Sequence, residues 1–221
     1  MIRALAFDFD GVLVETAEVK TQAFARLFRA EPPATLQAIV QYHERNGGIS
    51  RFEKFKTIYR DILKRPLDTE TFQQLCDDFA QLVVKEVLAA PWVEGAHEFL
   101  VRSRRRYQLF VVSGTPEAEL TDILRRRDMA DFFEAILGSP RTKDVLLHAI
   151  MATYALKPTE LVFVGDAPTD WMAARQTGVH FIWRRHAGGT ALPREWSGPL
   201  INSCSELEAC LAVLEGAEAL Q

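Results

Sequence analysis

Acidic side chains follow two apolar runs of this sequence, at spacings that suit acid–base or metal chemistry. Asp8 and Asp10 end the first run of the chain, and Asp166 and Asp170 follow a later run, Leu161–Val164. Clustered carboxylates repel one another and raise one another's pKa. A divalent cation relieves that repulsion, and hard oxygen ligands in octahedral geometry suit Mg²⁺. A magnesium site built from these carboxylates is therefore expected.

The spacing of Asp8 and Asp10 allows the two carboxylates to divide one reaction between them. They stand two residues apart on an extended segment, so their side chains point to the same side. One carboxylate can attack while the other handles protons, and a carboxylate that attacks phosphorus forms an aspartyl phosphate. Gly11, directly after them, predicts a tight turn.

A second polar group follows the apolar run that ends at Val112. Ser113 and the backbone N–H groups after it are suited to hold phosphate oxygens. Thr115 is a good N-cap and Pro116 suits the first position of a helix, which predicts a helix N-terminus and hence an anion site. Lys143 supplies a positive charge to balance a transferring phosphoryl group.

The elements that position these residues alternate from Pro91 onward. Short apolar runs typical of strands occur at Gln108–Val112, Ala135–Leu137, Leu161–Val164 and His180–Trp183, with helical patterns between them. This alternation predicts a parallel sheet with right-handed crossovers. Ligands bind at the carboxyl ends of the strands of such a sheet, so the acids, the hydroxyl and the lysine are expected to meet at one edge.

A long helical block interrupts the alternation between the first and second strands. Apolar residues recur at helical spacing from about Thr16 to Ala90. We therefore predict an α/β fold, with a three-layer, Rossmann-like core and a mainly parallel sheet, and an inserted α-helical cap domain. The predicted core is residues 1–15 and 91–221, and the predicted cap is residues 16–90.

Composition excludes several other classes of protein. The 221 residues are 48% apolar and 25% charged, which is typical of a globular chain. The net charge of −4 lacks the basic footprint of a protein that binds nucleic acid or an anionic membrane. No apolar run approaches the roughly 20 residues that span a bilayer. The three cysteines show no metal-binding or pairing pattern, so we expect reduced thiols in a cytoplasmic protein.

Four motifs in order resemble those of the haloacid dehalogenase superfamily. Asp8–Val14 looks like the first motif, Val111–Thr115 like the second, Lys143 like the third and Gly165–Asp170 like the fourth. The resemblance covers nearly the whole chain. The helical insert is similar to the small α-helical cap of the subgroup that contains phosphoglycolate phosphatase and β-phosphoglucomutase. One departure is Gly114-Thr115-Pro116, which stands where the family more often has Asn after Ser or Thr.

The resemblance implies a role for each motif residue. Asp8 would be the nucleophile and Asp10 the general acid and base. Mg²⁺ would be held by the Asp8 carboxylate, the Asp10 main-chain carbonyl and Asp166, with Asp170 near the ion or linked through water. The residues implied in phosphate binding are Ser113, the Gly114 backbone and Lys143.

Charged residues of the helical block are candidates for reading the leaving group of a substrate. Gly47-Gly48 predicts a hinge-like break, and in the resembled subgroup a loop of this kind closes over the substrate. The candidates near it are His43, Arg45, Arg51 and Lys54. Ordinary solvated charges on helix faces explain all four equally well, so both interpretations stay open.

The function expected from these features is a Mg²⁺-dependent phosphatase that acts on a small soluble phosphomonoester. A phosphomutase of the β-phosphoglucomutase type, and a non-catalytic protein that binds a phosphorylated ligand, remain alternatives. The dehalogenase and phosphonoacetaldehyde hydrolase branches typically lack an acid at the position of Asp10, which argues against both. Sugar phosphate, phosphoglycolate and nucleotide all stay open as substrates, as do a monomer and a homodimer.

Overall fold

The architecture is an α/β fold built on a parallel sheet. The computed structural model describes residues 1–186, 189 and 192–218. Within them the sheet has six strands in the order β3-β2-β1-β4-β5-β6, and every neighbouring pair is parallel. The strands are β1 (Ala4–Phe7), β2 (Gln108–Pro116), β3 (Ala135–Ser139), β4 (Leu161–Gly165), β5 (His180–Arg184) and β6 (Leu200–Ile201).

Helices cover the sheet and also form a separate block. The block follows β1 and comprises α1 (Ala17–Leu27), α2 (Pro33–Arg45), α3 (Arg51–Thr57), a π-helical turn (Ile58–Leu63) and α4 (Thr69–Ala89). We call residues 17–89 the helical segment. The others are α5 (Ala96–Ser103), α6 (Glu117–Arg126), α7 (Lys143–Thr153), α8 (Pro168–Thr177) and α9 (Leu207–Glu218). No helix of the described residues has both the length and the apolar character needed to cross a membrane.

The strands are apolar without alternation because both faces of the sheet are buried. In β1, Leu5 and Phe7 pack into one apolar cluster, while Ala4 and Ala6 pack into another on the opposite face. Two buried clusters separated by a sheet make three layers. The α/β fold class predicted from the sequence is therefore confirmed.

The helical segment has its own aromatic centre. The ring of Phe24 in α1 lies 5.5 Å from that of Phe55 and 5.0 Å from that of Phe79, and it stacks on His43 at 4.3 Å. All regular structure between β1 and β2 is helical, as the periodicity predicts. The assignment of this segment as a separate domain stays a prediction.

One difference from the sequence prediction concerns the end of β2. The strand was predicted to stop at Val112 but continues to Pro116, and its pairing with β3 changes register between these two residues. The helix that follows, α6, begins after Pro116, so the prediction that Thr115 is the N-cap is wrong. The irregular pairing frees Ser113–Thr115 from the regular ladder of the sheet.

Candidate active site

The predicted site residues meet at the carboxyl end of the sheet because β1 lies between β2 and β4. The backbone N–H of Asp8 still belongs to the sheet and donates to Val164 O at 2.9 Å. The chain then leaves the sheet, and Gly11 turns it with a φ of +71°. A Cβ at Gly11 would overlap the Asp166 carboxylate, so glycine allows the first loop to lie against the loop after β4.

Lys143 joins the two sides of the site. Its Nζ lies 2.8 Å from Asp8 Oδ2 and also donates to Asp170 Oδ1. All three side chains are buried, and the ring of Phe163 lies 5.9 Å from Nζ. Burial alone would lower the pKa of Lys143, but the two carboxylates raise it above its usual value. The lysine is therefore a fixed positive charge beside Asp8.

The carboxyl group of Asp8 is more difficult to ionise than that of Asp10. Burial, with repulsion from Asp170 and Asp10, raises its pKa to about 7 against the opposing pull of Lys143. One of its oxygens accepts the N–H of Phe9 at 2.7 Å. In this environment, any further positive charge nearby would favour the ionised form of Asp8.

Three carboxylates of the site lie close enough together to bind a cation. Oxygens of Asp8, Asp166 and Asp170 lie within 4.8 Å of one another. Burial raises the pKa of both Asp166 and Asp170, so a further positive charge nearby would favour the ionised form of all three carboxyl groups. Hard oxygen donors at this density fit a divalent cation. The side chain of Asp10 does not belong to this cluster.

Asp170 also organises its own loop. Its Oδ2 accepts the backbone N–H groups of Asp166 at 3.2 Å and Ala167 at 3.1 Å. Oδ1 is bonded to Lys143, so both oxygens already have partners. Asp170 thus holds the start of α8 and Lys143 in place, in addition to its position beside the other acids.

Asp10 has a different environment from Asp8. Its Oδ1 accepts the Thr16 hydroxyl at 2.6 Å, and its Oδ2 accepts Lys20 Nζ and, at 3.3 Å, the Thr115 hydroxyl. Burial would raise its pKa, but Lys20 and then Thr16 outweigh it, so the pKa lies below its usual value. Two carboxylates with opposite shifts are typical of paired roles in catalysis.

Sequence reasoning did not assign roles to several of these partners. Lys20 Nζ also donates to Thr115 Oγ1 at 2.9 Å, so it joins the helical segment to both core loops. Thr16 and Lys20 are four residues apart at the start of α1, a spacing that places them on one face and was the available signal. His186, whose Nε2 lies 2.8 Å from Asp166 Oδ2, follows β5 without any motif to mark it.

The loop predicted to bind phosphate lies at the carboxyl end of β2, and the hydroxyl of Ser113 is hydrogen-bonded within that loop. Ser113 is buried, and its Oγ accepts the N–H of Thr115 at 3.1 Å. A Cβ at Gly114 would overlap the carbonyl oxygen of Gly48, so glycine there allows the helical segment to approach β2. This close approach explains why Gly suits the position at which the resembled family more often has Asn.

A cavity of about 620 Å³ lies between the sheet edge and the helical segment. Asp8, Asp10, Asp166 and Gly114 line it from the sheet side. Ser113, Lys143 and Asp170 are not among its lining residues and lie buried next to those that are. From the helical segment the predicted candidates His43, Arg51 and Lys54 line it. Arg45 is exposed and does not line it.

Arg51 makes its main contacts with the core. Its Nη1 donates to Glu119 Oε1 at 3.2 Å, and its Nη2 is bonded to Glu119 Oε2. The guanidinium also lies 5.2 Å from the ring centre of Phe79. The interpretation of Arg51 as a solvated helix charge is wrong, because the side chain is buried in an ion pair between α3 and α6.

The turn at Gly47-Gly48 lies against the core loops. Thr169 Oγ1 donates to Gly47 O at 2.6 Å. Gly48 has a φ of +78°, and a Cβ there would overlap Thr169 Oγ1 and lie 3.3 Å from Lys143 Nζ. The break predicted from the glycine pair exists, and its backbone is in contact with two of the core motifs.

The chain is similar to known proteins over most of its length. The family model described as haloacid dehalogenase-like hydrolase matches residues 5–184. A phosphoglycolate phosphatase from Photorhabdus laumondii is 28% identical over 183 residues, covering 80% of this chain and 77% of that protein. A phosphorylated carbohydrates phosphatase from Thermotoga maritima is 25% identical over 190 residues, with 82% and 84% covered.

Solved structures share the fold. A β-phosphoglucomutase from Clostridium difficile superposes with a TM-score of 0.78 at 15% identity, and the match covers 100% of both chains. CbbY from Rhodobacter sphaeroides in complex with phosphate gives 0.75 at 17% identity, covering 94% of this chain and 96% of that one. At these identities the likeness concerns the fold alone.

Proposed function

This chain belongs to the haloacid dehalogenase-like hydrolase family and is a phosphatase, and we propose that it hydrolyses a small phosphomonoester with Mg²⁺ through an aspartyl phosphate. The observation that supports this most is the pairing of Asp8 with Lys143 beside the carboxylate cluster. A nucleophilic carboxylate, a fixed positive charge and oxygen ligands for a metal meet within one edge of the sheet.

In the first step, an Asp8 oxygen attacks phosphorus. A new P–O bond forms to Asp8 as the bond from phosphorus to the ester oxygen breaks. Asp8, Asp166 and Asp170 would hold the cation, with the Asp10 main-chain carbonyl as a further ligand, and the bound ion would neutralise charge on the phosphoryl oxygens. Lys143 keeps its positive charge beside the attacking carboxylate.

Asp10 moves the protons. It gives a proton to the departing ester oxygen, and in the second step it takes a proton from the water that hydrolyses the aspartyl phosphate. In the structure Asp10 is ionised beside Lys20, which is the state the second step requires. For the first step it must bind a proton, so that step requires a weaker contact with Lys20 than the structure has.

The remaining elements hold the substrate. We assign phosphate binding to Ser113, the Gly114 backbone and Lys143, with residues 16–90 acting as a cap domain over the core of residues 1–15 and 91–221. Contacts of Gly47 and Gly48 with the core support closure of the cap, because they bring the helical segment over the site. Closure of this kind excludes bulk water from the reaction. His43, Arg51 and Lys54 face the leaving group in this arrangement.

The test is phosphate release from a panel of sugar phosphates, phosphoglycolate and nucleotides, with Mg²⁺ and with a chelator. Asp8→Asn removes the nucleophile, and Asp131→Asn changes an exposed carboxylate as a matched control. Release that requires Mg²⁺ and Asp8, together with a phosphorylated protein trapped by rapid quenching, is the expected result. Full activity of Asp8→Asn would contradict the mechanism, and a phosphorylated product isomer in place of free phosphate would indicate a mutase.

A further inference from the structure

Lys54 is a buried cation of α3 without an anionic partner. Its side chain is 3% exposed. Its polar contacts are His43 Nδ1 at 2.9 Å and His43 O at 3.3 Å, and it forms no ion pair with a carboxylate of the described residues. A buried charge without a partner is costly, and burial accordingly lowers the pKa of Lys54 to about 7. The position favours the charged form only when an anion is nearby.

The hydrogen-bond geometry leaves one donor of Lys54 available. Burial lowers the pKa of His43 to about 2, so its ring is neutral, and Nδ1 accepts from the lysine. An ammonium group has three N–H donors. One is used by the ring and one by the carbonyl, so one has no acceptor among the described residues. Lys54 lines the cavity beside Asp8 and Asp10, which gives this donor a space to act in.

The other cations that line the cavity from the helical segment are already neutralised. Arg51 is paired with Glu119, and Lys20 is paired with Asp10. The two remaining carboxylates of the segment that line the cavity, Glu18 and Glu44, are exposed at their positions, where water screens them. Among the described residues, the buried wall contributed by the segment therefore contains one amine, that of Lys54, which is not paired with a carboxylate.

We propose that Lys54 binds a second oxyanion, a carboxylate or a second phosphate, on the leaving group of the substrate. The inference rests on the proposed function, because it places the reacting phosphate at Asp8 and the leaving group beneath α3. An oxyanion there accepts the remaining N–H of Lys54 and supplies a countercharge. Charge-assisted hydrogen bonds of this kind are strong in a cavity that is shielded from water. The enzyme then selects phosphomonoesters whose leaving group carries a second anionic group over those with uncharged leaving groups.

The test compares matched substrates that differ only in the second charge. Phosphoglycolate is paired with 2-hydroxyethyl phosphate, in which a hydroxymethyl group replaces the carboxylate. Propane-1,3-diol bisphosphate is paired with its monophosphate. Wild type is expected to prefer the charged member of at least one pair, and the pair it favours identifies the anion. In Lys54→Gln the ratio of kcat/KM between those members falls about tenfold or more, mainly through KM.

Lys56→Gln is the matched control. Lys56 lies on the same helix, but its side chain is 55% exposed and pairs with Glu53 in solvent. Its removal is expected to leave the ratio unchanged, which separates the specific effect of Lys54 from the general charge of α3. Lys54→Met keeps the length of the side chain and removes the unpaired buried charge, so it is expected to fold at least as stably as wild type.

Equal loss of activity on both members of a pair in Lys54→Gln would overturn the proposal, as would an unchanged ratio, since a purely structural lysine gives one or the other. Binding separates this proposal from the phosphatase assignment. In the Asp8→Asn background, calorimetry is expected to show tighter binding of phosphoglycolate or the bisphosphate than of its uncharged match, and added Lys54→Gln removes the difference. That result without turnover by wild type would refute the phosphatase mechanism and leave the anion site standing.

Discussion

Asp8 and Asp10 show how a separation of two residues produces two different acids. Asp8 shares Lys143 with Asp170 and stays difficult to ionise, whereas Asp10 accepts from Lys20 and from the hydroxyls of Thr16 and Thr115. The environment of Asp8 favours the binding of a cation, whereas the environment of Asp10 already stabilises the ionised carboxylate. The difference arises from tertiary partners, since both residues follow the same strand.

Asp8→Asn is expected to stabilise the metal-free protein at neutral pH. Its folded pKa of about 7 exceeds the unfolded value, so the folded state binds more protons between pH 4 and 7. The corresponding stability is present below pH 4 and is lost as pH rises through 7. Asparagine does not titrate, so the variant avoids this loss of stability at neutral pH. Lys143 still has Asp170 as its ion-pair partner. In chelator at pH 7.5, the midpoint of thermal unfolding rises by about 2–4 °C for each kcal/mol regained.

The pH dependence of this effect is its control. Wild type and Asp8→Asn are expected to converge in stability as pH falls toward 4, because Asp8 is then protonated in the folded protein. A variant that is less stable than wild type at pH 7.5 would show that the Lys143 contact outweighs burial and repulsion at this carboxylate.

Lys20→Met is expected to move the acidic limb of the activity profile to higher pH. That limb reports the ionisation of Asp10 when it acts as the base of the second step. Lys20 holds the pKa of Asp10 low, so its removal leaves burial to raise that pKa. The measurement is kcat against pH for wild type, Lys20→Met and Lys85→Met, an exposed lysine of α4. An unmoved limb in Lys20→Met would mean that Asp10 does not limit the rate as a base.

At the scale of elements, the sequence predicted the types of most helices and strands but fewer of their ends. Helical periodicity located α4, and Asp68 caps it by accepting the N–H of Thr71 at 2.7 Å. Helix α2 begins at Pro33, a position suited to proline, which the spacing of apolar residues alone does not indicate. The π-helical turn after α3 has no signal in a 3.6-residue pattern, and β6, with two residues, is too short for any pattern.

The candidate site divides in the same way. Asp8, Asp10, Asp166 and Lys143 could be predicted to meet because each follows or opens an element at the carboxyl edge of the sheet. The contact of Arg51 with Glu119 could not be predicted, since it joins elements 68 residues apart and depends on how the helical segment lies against the core. Whether charges on helices are solvated or paired is decided at that level of packing.

Glu119→Gln is expected to loosen the contact between α3 and the core. It leaves the buried Arg51 guanidinium without a counterion, and breaking a buried pair costs up to about 3–5 kcal/mol. Thermal unfolding and hydrogen exchange of α3 amides measure the loss. Glu53→Gln breaks the exposed pair with Lys56 and is expected to change stability by less than about 1 kcal/mol. Equal effects of the two variants would contradict a buried role for the Arg51 pair.

Gly48→Ala is expected to reduce activity by displacing the turn from the core. The backbone there has a φ of +78°, which alanine adopts at a cost, and the added Cβ would overlap Thr169 Oγ1. The expected loss in kcat/KM is about tenfold or more, since a displacement near 1 Å can cost a hundredfold in rate. Gly216→Ala in α9, where a Cβ meets no atom within 4 Å, is the control. Full activity of Gly48→Ala would show that the turn does not help to form the site.

At the scale of the whole molecule, the site belongs to both the sheet and the helical segment. Lys20 and Gly48 come from the segment, yet they contact Thr115 and Thr169 of the core, and the cavity is lined from both sides. A ligand that binds the residues on the sheet side of the cavity should therefore also stabilise the helical segment. A divalent cation is the simplest ligand with which to test this coupling.

Mg²⁺ is expected to stabilise the whole protein in proportion to its occupancy of the carboxylate cluster. A ligand that binds only the folded state at a hundred times its Kd adds about 2.7 kcal/mol, or roughly 5–11 °C in the midpoint of thermal unfolding. Chelator reverses the shift. Asp166→Asn removes one charge of the cluster and is expected to remove most of the Mg²⁺-induced shift in the unfolding midpoint. Asp131→Asn is expected to retain that shift. Hydrogen exchange of α1 and α3 is expected to slow with Mg²⁺ in wild type. Slowing confined to the strands would show that the segment does not respond to occupancy of the site.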